Sequence, residues 1–122
     1  MDFCIFCSQA HQKIYDNKYV YAVYDTFPVS PGHVLIIPKA HRENYFEASF
    51  KEIVAINEAI QVLKERLDSQ FNPDGYNIGI NNGKAAGQTV FHLHVHLIPR
   101  YDGDMENPRG GVRGVIPHKQ KY

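Results

Sequence analysis

The sequence predicts an α+β fold in which a mainly antiparallel sheet packs against one long helix. Strand-like segments rich in β-branched and aromatic residues occupy 18–25 and 33–37, before a predicted helix over 50–69. Two further segments, 75–80 and 90–98, follow the helix. Strands grouped on either side of one helix favour antiparallel neighbours, because parallel sheets need strands and helices in alternation.

The helix over 50–69 is predicted from its start, its period and its end. Ser49 and Glu52 match a capping box, in which a hydroxyl and a carboxylate satisfy two free amide donors. Turn-forming residues at 72–75 end the helix. Between these ends, apolar residues recur with the period of one buried helix face, at Ile53, Ile56, Ile60, Leu63 and Leu67.

Prolines separate or close the predicted strands. Residues 26–32, a turn-forming stretch, divide the first strand from the second. The second, 33–37, is an almost continuous apolar run closed by Pro38, so we expect it to be buried on both faces. Pro99 is expected to end the strand over 90–98.

Length and composition restrict the number of domains and the class of function. The chain has 122 residues, 43% hydrophobic and 21% charged, with 13 basic against 13 acidic residues. One compact domain is expected over 1–103, followed by an irregular basic tail over 104–122. The balanced charge gives no reason to expect nucleic acid or a membrane as a partner. The absence of a basic leader and of a long apolar run predicts a cytoplasmic location.

Three histidines alternate with apolar residues along the last predicted strand. Because side chains on a strand alternate between its faces, one face is expected to pack on the core and holds Phe91, Leu93, Val95 and Leu97. The opposite face is expected to open onto a site and holds His92, His94 and His96. Neighbours on one face lie about 6.6 Å apart, so a single metal ion does not easily reach all three. The row predicts either a metal held by a pair with further ligands, or one nucleophilic imidazole with supporting neighbours.

The loop before the histidines favours a phosphate ligand. Gly83 and Gly87 allow the backbone to approach a ligand closely, and successive amides there can bind an anion. Lys84, Gln88 and Thr89 add a cation, an amide and a hydroxyl. Because this loop runs directly into the histidine row, the two together predict a site for a phosphoryl group.

The two cysteines form a Cys-x-x-Cys pair at Cys4 and Cys7. In a reducing compartment this spacing favours metal binding, and zinc is the preferred ion. Two alternatives stay open. The pair could be redox-active, although that motif is expected after a strand and at the start of a helix, or the thiols could be small buried hydrophobic groups.

Residues 87–100, Gly-Gln-Thr-Val-Phe-His-Leu-His-Val-His-Leu-Ile-Pro-Arg, resemble the signature of the histidine triad family of nucleotide hydrolases and transferases. Residues 31–41 are similar to a second block of that family, and the resemblance covers roughly 4–103. It implies the histidine triad fold, with a five-stranded sheet, one long helix and a shorter one. Residues 86–89 together with 31–41 look closest to the dinucleoside polyphosphate hydrolases within the family.

The resemblance implies a phosphoanhydride hydrolase that acts on a dinucleoside polyphosphate such as diadenosine tetraphosphate. His94 would attack the α-phosphorus and form a nucleotidyl intermediate that water hydrolyses, and His96 would contact the phosphate and stabilise the transition state. The other nucleotide-binding positions that it implies are Asp25 for the ribose hydroxyls, Gln88 and Thr89 for the phosphate oxygens, and Asn81 or Asn82 for the lining of the site. The family also suggests a homodimer.

Zinc-bearing members of the family imply a closed, structural zinc shell formed by Cys4, Cys7, His41 and His92. His11 is the rival of His41, because it could close a local cluster with Cys7. His33 is expected to be a packed or turn residue. Three other functions stay open: a phosphoramidate or aminoacyl-nucleotide hydrolase or nucleotidylyl transferase of the same family, a metal-dependent hydrolase, and a nucleotide-binding module with little turnover.

Overall fold

The computed structural model describes residues 3–122, and the first two residues of the predicted domain lie outside that range. The strands are β1 (Tyr15–Asp16), β2 (Val20–Tyr24), β3 (Val34–Pro38), β4 (Gly75–Gly79) and β5 (Val95–Arg100), and the helices are α1 (Ile5–Ser8) and α2 (Phe50–Phe71). The strands form one sheet in the order β1-β2-β3-β5-β4, with every neighbouring pair antiparallel. One long and one short α-helix with this sheet confirm the predicted fold class.

Helix α2 begins at the predicted capping box. The Ser49 hydroxyl accepts the Glu52 amide, and the Glu52 carboxylate accepts the Ser49 amide. Glu52 is buried and accepts a further hydrogen bond at 2.9 Å from Nε of Arg42, so its charge is paired. The helix ends at Phe71, slightly beyond the predicted end, because Asn72 takes the left-handed conformation (φ 51°) that terminates helices.

The core lies on both faces of the central strand β3. On one face, α2 contributes Ile56, Leu63 and Leu67, while Ile53 and Ile60 of the predicted stripe are half-buried. The other face is covered by a smaller cluster formed by Phe6, Tyr21, Val23, Leu35 and Ile37. Every residue of β3 is therefore buried, as the apolar run 33–37 predicts.

The histidine segment departs from the predicted strand over 90–98. Strand β5 begins only at Val95, because the backbone before it leaves the sheet and the Leu93 amide donates to the Arg42 carbonyl at 2.7 Å. As a result Phe91 is 43% exposed rather than packed on the core, and His92 is fully buried rather than facing the site. Pro99 does not end the strand: it lies beyond the last β5 residue paired with β3, where a strand tolerates proline.

The resemblance implied a shorter helix and a fifth strand without placing them, and these are α1 and β1. Four 3₁₀ helices were not expected from the sequence: Tyr45–Glu47, Lys84–Ala86, Gly111–Val115 and Pro117–Lys119. The last two fold the C-terminal segment beside β4, where Gly111 lies against Asn77. Within 3–122, none of the helices combines the length and the hydropathy needed to cross a bilayer.

The α2 core stripe gives a test of the packing. Leu63 is 1% exposed, so Leu63→Ala is expected to lower the free energy of unfolding by about 2–5 kcal/mol through the cavity it leaves. The matched control Val62→Ala, at a 36% exposed position, should change it by less than about 1 kcal/mol. Urea denaturation followed by circular dichroism measures both, and equal losses in the two variants would contradict this packing.

Candidate active site

The pairing of β3 with β5 brings most of the predicted catalytic and nucleotide-binding residues to one cavity. Leu35 of β3 lies opposite His96 of β5, and a cavity of about 540 Å³ opens on this face. Its polar lining includes five of the predicted residues: Asp25, Asn81, Thr89, His94 and His96. Its apolar lining includes Ile5, Phe6, Val23 and Leu35. The cavity thus has a polar part with titratable groups beside an apolar part.

The imidazole of His94 is held with one nitrogen directed at the cavity. Its Nδ1 lies 2.9 Å from the carbonyl oxygen of His92, which only accepts, so Nδ1 carries the proton. The Nε2 atom then has the free lone pair of a neutral imidazole. The ring packs at 5.1 Å from the Phe6 ring and 5.3 Å from the His96 ring. This is the arrangement of a nucleophilic histidine.

A chain of hydrogen bonds gives His96 the opposite tautomer. The Val29 amide donates to Nδ1 of His33 at 3.0 Å, so the proton of His33 is on Nε2. That Nε2 lies 2.9 Å from Nδ1 of His96 and donates to it. His96 therefore carries its own proton on Nε2, and this N–H is available to donate to a phosphoryl oxygen.

Burial keeps the imidazole rings of His33 and His96 neutral at physiological pH. It lowers the pKa of His96 to about 4, with smaller contributions from His94 and His33, and it lowers the pKa of His33 although Asp25 opposes the shift. The nearest Asp25 oxygen lies 3.4 Å from His33 and 3.9 Å from His96. The other oxygen of Asp25 accepts the Phe27 amide, which fixes the carboxylate at the edge of the cavity.

Gln88 does not contribute its side chain to the cavity. Its amide oxygen accepts the Gly83 amide at 2.7 Å, and its amide nitrogen donates to the carbonyls of Glu43 and Val90. The side chain is 3% exposed and its hydrogen-bonding groups are occupied. The expected contact of this amide with phosphate is therefore replaced by a structural role. The side chain joins the loop that contains Gly83 to the backbone of Glu43.

The two cysteines meet two histidines in a compact cluster. Ligand atoms of Cys4, Cys7, His41 and His92 all lie within 4.8 Å of one another. His92 donates from Nε2 to the Pro38 carbonyl at 2.8 Å, so its Nδ1 lone pair faces both sulfur atoms at 3.3 Å. The His41 Nδ1 lies 3.1 Å from the Cys7 sulfur. Two thiols and two imidazoles, with one lone pair directed inward, are a donor set that suits zinc.

His11 lies elsewhere. It lines the nucleophile's cavity and is not one of the four clustered ligand groups. Burial and the neighbouring Cys4 raise the pKa of the Cys7 thiol, so the sulfur stays protonated without an ion; a bound cation would reverse that preference.

A second cluster, formed by Asp25, His33 and His96, also places its ligand atoms within 4.8 Å of one another. It does not suit a metal. The Val29 amide occupies the Nδ1 lone pair of His33, so the Nε2 atom that faces the cluster carries a proton and has no lone pair to give. These groups fit a hydrogen-bonded relay rather than a coordination shell.

Two functional contributions were missed by reasoning from the sequence. His33 proves to be 2% exposed and to set the tautomer of His96. Its position in the Pro-Gly-His block was visible, but its contact with His96 depends on the β3–β5 register, which no local pattern encodes. Ile5 and Phe6 form part of the cavity wall, and their place between the two cysteines gave no indication of that.

The fold and this histidine site define the class of histidine triad proteins. Residues 8–103 match the HIT domain family, so the chain belongs to that family. An uncharacterized HIT-like protein of Saccharolobus solfataricus is 33% identical over 97% of this chain and 86% of its own length. Two relatives with named activities are matched over a smaller share of their length. The adenylylsulfatase HINT3 of Arabidopsis thaliana is 34% identical, and the match covers 83% of this chain and 54% of that protein. A bis(5′-adenosyl)-triphosphatase of Saccharomyces cerevisiae is 37% identical, and the match covers 74% of this chain and 44% of that protein.

Solved structures agree with the family and the fold. A HIT family protein from Bacillus anthracis superposes with a TM-score of 0.80 at 39% identity, covering 84% of this chain and 77% of that one. A histidine triad family protein from Mycobacterium smegmatis, described as zinc-bound, superposes with a TM-score of 0.76 at 34% identity, covering 85% and 79%.

The half-buried His96 predicts a stability that falls on mild acidification. In the unfolded chain the imidazole binds a proton near pH 6.5, whereas in the folded chain it does so only near pH 4. Stability is therefore lost as the pH falls from about 6.5 towards 4, because the unfolded state binds more protons there. Asp25, His33 and His94 face this ring: the two imidazoles also lower its pKa, and the Asp25 carboxylate raises it by less than burial lowers it.

We expect the free energy of unfolding to fall by about 1–2 kcal/mol on this account between pH 7 and pH 5. Urea denaturation in the presence of a chelator measures it. His96→Gln should remove this share of the pH dependence, while His118→Gln, at an exposed position in the C-terminal segment, should keep it. An identical pH dependence in the wild type and in His96→Gln would rule the account out.

Proposed function

We propose that this protein hydrolyses a nucleotide at its α-phosphate through a nucleotidyl intermediate on His94. The observation that supports this most directly is the pair of opposite tautomers. His94 directs a lone pair at the cavity, and His96 directs an N–H at the same place. A nucleophile next to a donor for the phosphoryl oxygens is what in-line attack on phosphorus needs.

The proposed reaction has two displacements. In the first, Nε2 of His94 bonds to the α-phosphorus, and the bond from phosphorus to the leaving group breaks, with its electron pair departing on the leaving atom. In the second, a water oxygen bonds to phosphorus and gives up a proton to solvent, the P–N bond breaks, and its electron pair returns to Nε2. Throughout, the His92 carbonyl holds the Nδ1 proton, so that the ring accepts phosphorus at one nitrogen only.

The cavity lining supports a nucleoside monophosphate as the group bound. Its apolar wall offers a surface for a base, and the fixed carboxylate of Asp25 can accept hydrogen bonds from ribose hydroxyls. Asn81 and Thr89 add polar groups on the side of the histidines. Among the described lining residues there is no lysine or arginine, so the charge of one phosphoryl group has to be met by neutral donors.

The substrate proposed from the sequence is a dinucleoside polyphosphate such as diadenosine tetraphosphate. The yeast relative whose name is bis(5′-adenosyl)-triphosphatase supports it, over 74% of this chain. The Arabidopsis adenylylsulfatase supports a mixed anhydride of the same nucleotide. These substrates and an adenosine phosphoramidate share the adenylyl group that His94 would attack. They differ in the leaving group on the α-phosphorus.

We also propose a structural zinc ion held by Cys4, Cys7, His41 and His92. The donor set and the inward Nδ1 lone pair of His92 support it, as does the zinc-bound relative. Zinc would cross-link the N-terminal segment to residues 41 and 92, with four protein ligands and no position for substrate. His92 would then be fixed by its side chain while its carbonyl orients His94.

The homodimer expected from the family is supported by the position of β4. It is an edge strand of the sheet, and Ile78 on it is 48% exposed, so a second copy could pair with it. A cytoplasmic location, and no nucleic acid or membrane partner, are the accompanying proposals.

Mass spectrometry of the intact protein tests the intermediate. After brief mixing with diadenosine tetraphosphate or an adenosine phosphoramidate, an adenylyl adduct is expected on the wild type or on the slower His96→Ala variant. His94→Gly should form no adduct and should lose at least about 10³-fold in kcat, because the covalent route needs this nitrogen. His118→Gln, far from the site in sequence and exposed, is the control that keeps the adduct.

The same experiment separates the competing functions. An adduct on His94→Gly would contradict the proposed nucleophile. Tight nucleotide binding by wild type and His94→Gly alike, without turnover, would identify a nucleotide-binding module instead. Activity that a chelator abolishes while the fold stays intact would favour the metal-dependent hydrolase.

Zinc binding has its own test. We expect one zinc ion per chain by elemental analysis, and a chelator should lower the thermal midpoint of unfolding. Cys4→Ser and His41→Ala should each lose the ion. His11→Ala is the matched control and should retain it, because His11 lies on the cavity rather than in the cluster. Zinc lost from His11→Ala but kept by His41→Ala would reverse the assignment.

A further inference from the structure

The peptide unit between His92 and Leu93 is hydrogen-bonded at both ends. Its carbonyl oxygen accepts the proton on Nδ1 of His94 at 2.9 Å, and its N–H donates to the Arg42 carbonyl at 2.7 Å. The second distance is shorter than the roughly 2.9–3.0 Å that is usual between an amide nitrogen and a carbonyl oxygen. Because consecutive hydrogen bonds through one peptide polarise each other, the bond to Arg42 strengthens the carbonyl that holds the proton of His94.

Arg42 lies in the connection between β3 and α2, outside both elements, and its side chain anchors it there. Its Nε atom lies 2.9 and 3.2 Å from the two carboxylate oxygens of Glu52, in the first turn of α2. Glu52 is 3% exposed and also accepts the Ser49 amide, so this carboxylate has a fixed position. The ion pair therefore ties the residue that holds the 92–93 peptide to the start of the long helix.

Two further contacts hold the same connection without the ion pair. The Glu43 carbonyl accepts the Gln88 side-chain amide at 2.6 Å, and the Tyr45 amide donates to the Asn82 side chain at 2.9 Å. Both contacts fix the glycine loop, whose Thr89 lines the nucleotide cavity. Loss of the ion pair is therefore expected to act on the 92–93 peptide, while the loop on the phosphate side of the cavity stays held.

We propose that Arg42 is a positioning residue for the nucleophile, and that its ion pair with Glu52 keeps His94 in the tautomer with the proton on Nδ1. The proposal rests on the proposed function, because it concerns the ring that would attack phosphorus. Arg42 is not among the described residues that line the cavity, and it acts through the Leu93 amide. A His94 ring with its proton on Nε2 would present no lone pair to the cavity.

Two variants remove the ion pair in different ways. Glu52→Gln removes the charge and keeps an acceptor for the Ser49 amide, because glutamine serves a capping box as glutamate does. Arg42→Met keeps the apolar stem and removes the guanidinium. Lys64→Met is the matched control, since it removes another ion pair of α2, with Asp68 at 2.7 Å, whose two side chains are exposed.

Nitrogen NMR of the labelled imidazole rings reports the tautomer of His94 without any substrate, and the signals are assigned by their loss in His94→Gly. The measurement uses the full chain as purified, with its zinc content determined by elemental analysis. We expect the wild type and Lys64→Met to hold the proton on Nδ1. Both ion-pair variants should show a mixture of tautomers with the zinc content of the wild type.

Kinetics with diadenosine tetraphosphate give the second readout. In each ion-pair variant kcat should fall by about 5–20-fold while KM changes by less than about 3-fold, because the orientation of the nucleophile is lost and the binding groups are kept. The double variant, Arg42→Met with Glu52→Gln, should lose no more than the more affected single variant, since both changes remove one contact.

The outcomes separate the positioning role from the proposed function. An unchanged tautomer or an unchanged kcat in both ion-pair variants would overturn the role, while an adduct on His94 would still support the function. Losses that multiply in the double variant, or that occur only where zinc is lost through the neighbouring His41, would overturn it as well. Absence of the adduct in the wild type would overturn the proposed function, whatever the tautomer. Mixed tautomers with a lowered kcat and retained zinc support the role.

Discussion

One hydrogen bond, from Nε2 of the buried His92 ring to the Pro38 carbonyl, determines much of the arrangement around the site. It fixes the proton on that nitrogen and leaves the Nδ1 lone pair facing the two thiols. Because the ring is held, the backbone at residue 92 is held too, and its carbonyl receives the Nδ1 proton of His94. A single residue therefore joins the end of β3, the cysteine cluster and the nucleophile.

The three histidines of the row illustrate how the environment separates chemically identical side chains. His92 donates to a carbonyl and turns its lone pair to sulfur, His94 turns its lone pair to the cavity, and His96 turns a proton to it. Within residues 3–122, no acidic side chain is hydrogen-bonded to His94. The tautomer of His94 is set by a backbone carbonyl, and that of His96 by the neighbouring imidazole of His33. Neutral rings with fixed tautomers suit a site that must meet an anion without high positive charge.

The parts of the fold that local chemistry specifies were predictable from the sequence. A capping box and a stripe of apolar residues define α2, and β-branched runs closed by prolines define β2 and β3. The start of β5 was not predictable, because it depends on a hydrogen bond between Leu93 and Arg42, which are distant in the chain. Likewise, alternation along the row suggested one face for three histidines, but the departure of the backbone before Val95 buries His92. The candidate residues could be named from their types, whereas the tautomer relay through His33 required the register of the sheet.

The N-terminal turn places two kinds of residue on opposite sides of one short segment. Cys4 and Cys7 face His92, while Ile5 and Phe6 face the cavity, and the buried Tyr21 hydroxyl donates to the Phe6 carbonyl to tie the segment to the sheet. The spacing is set by a single helical turn, in which the Cys7 amide donates to the Cys4 sulfur. Loops on the surface of a domain accept added residues readily, but one residue inserted between these cysteines would rotate the aromatic ring out of the wall and pull a thiol away from the imidazole. The cavity wall and the cysteine cluster therefore both fix the number of residues in this turn. Substitutions can be accepted there in evolution, whereas insertions and deletions would disrupt both features.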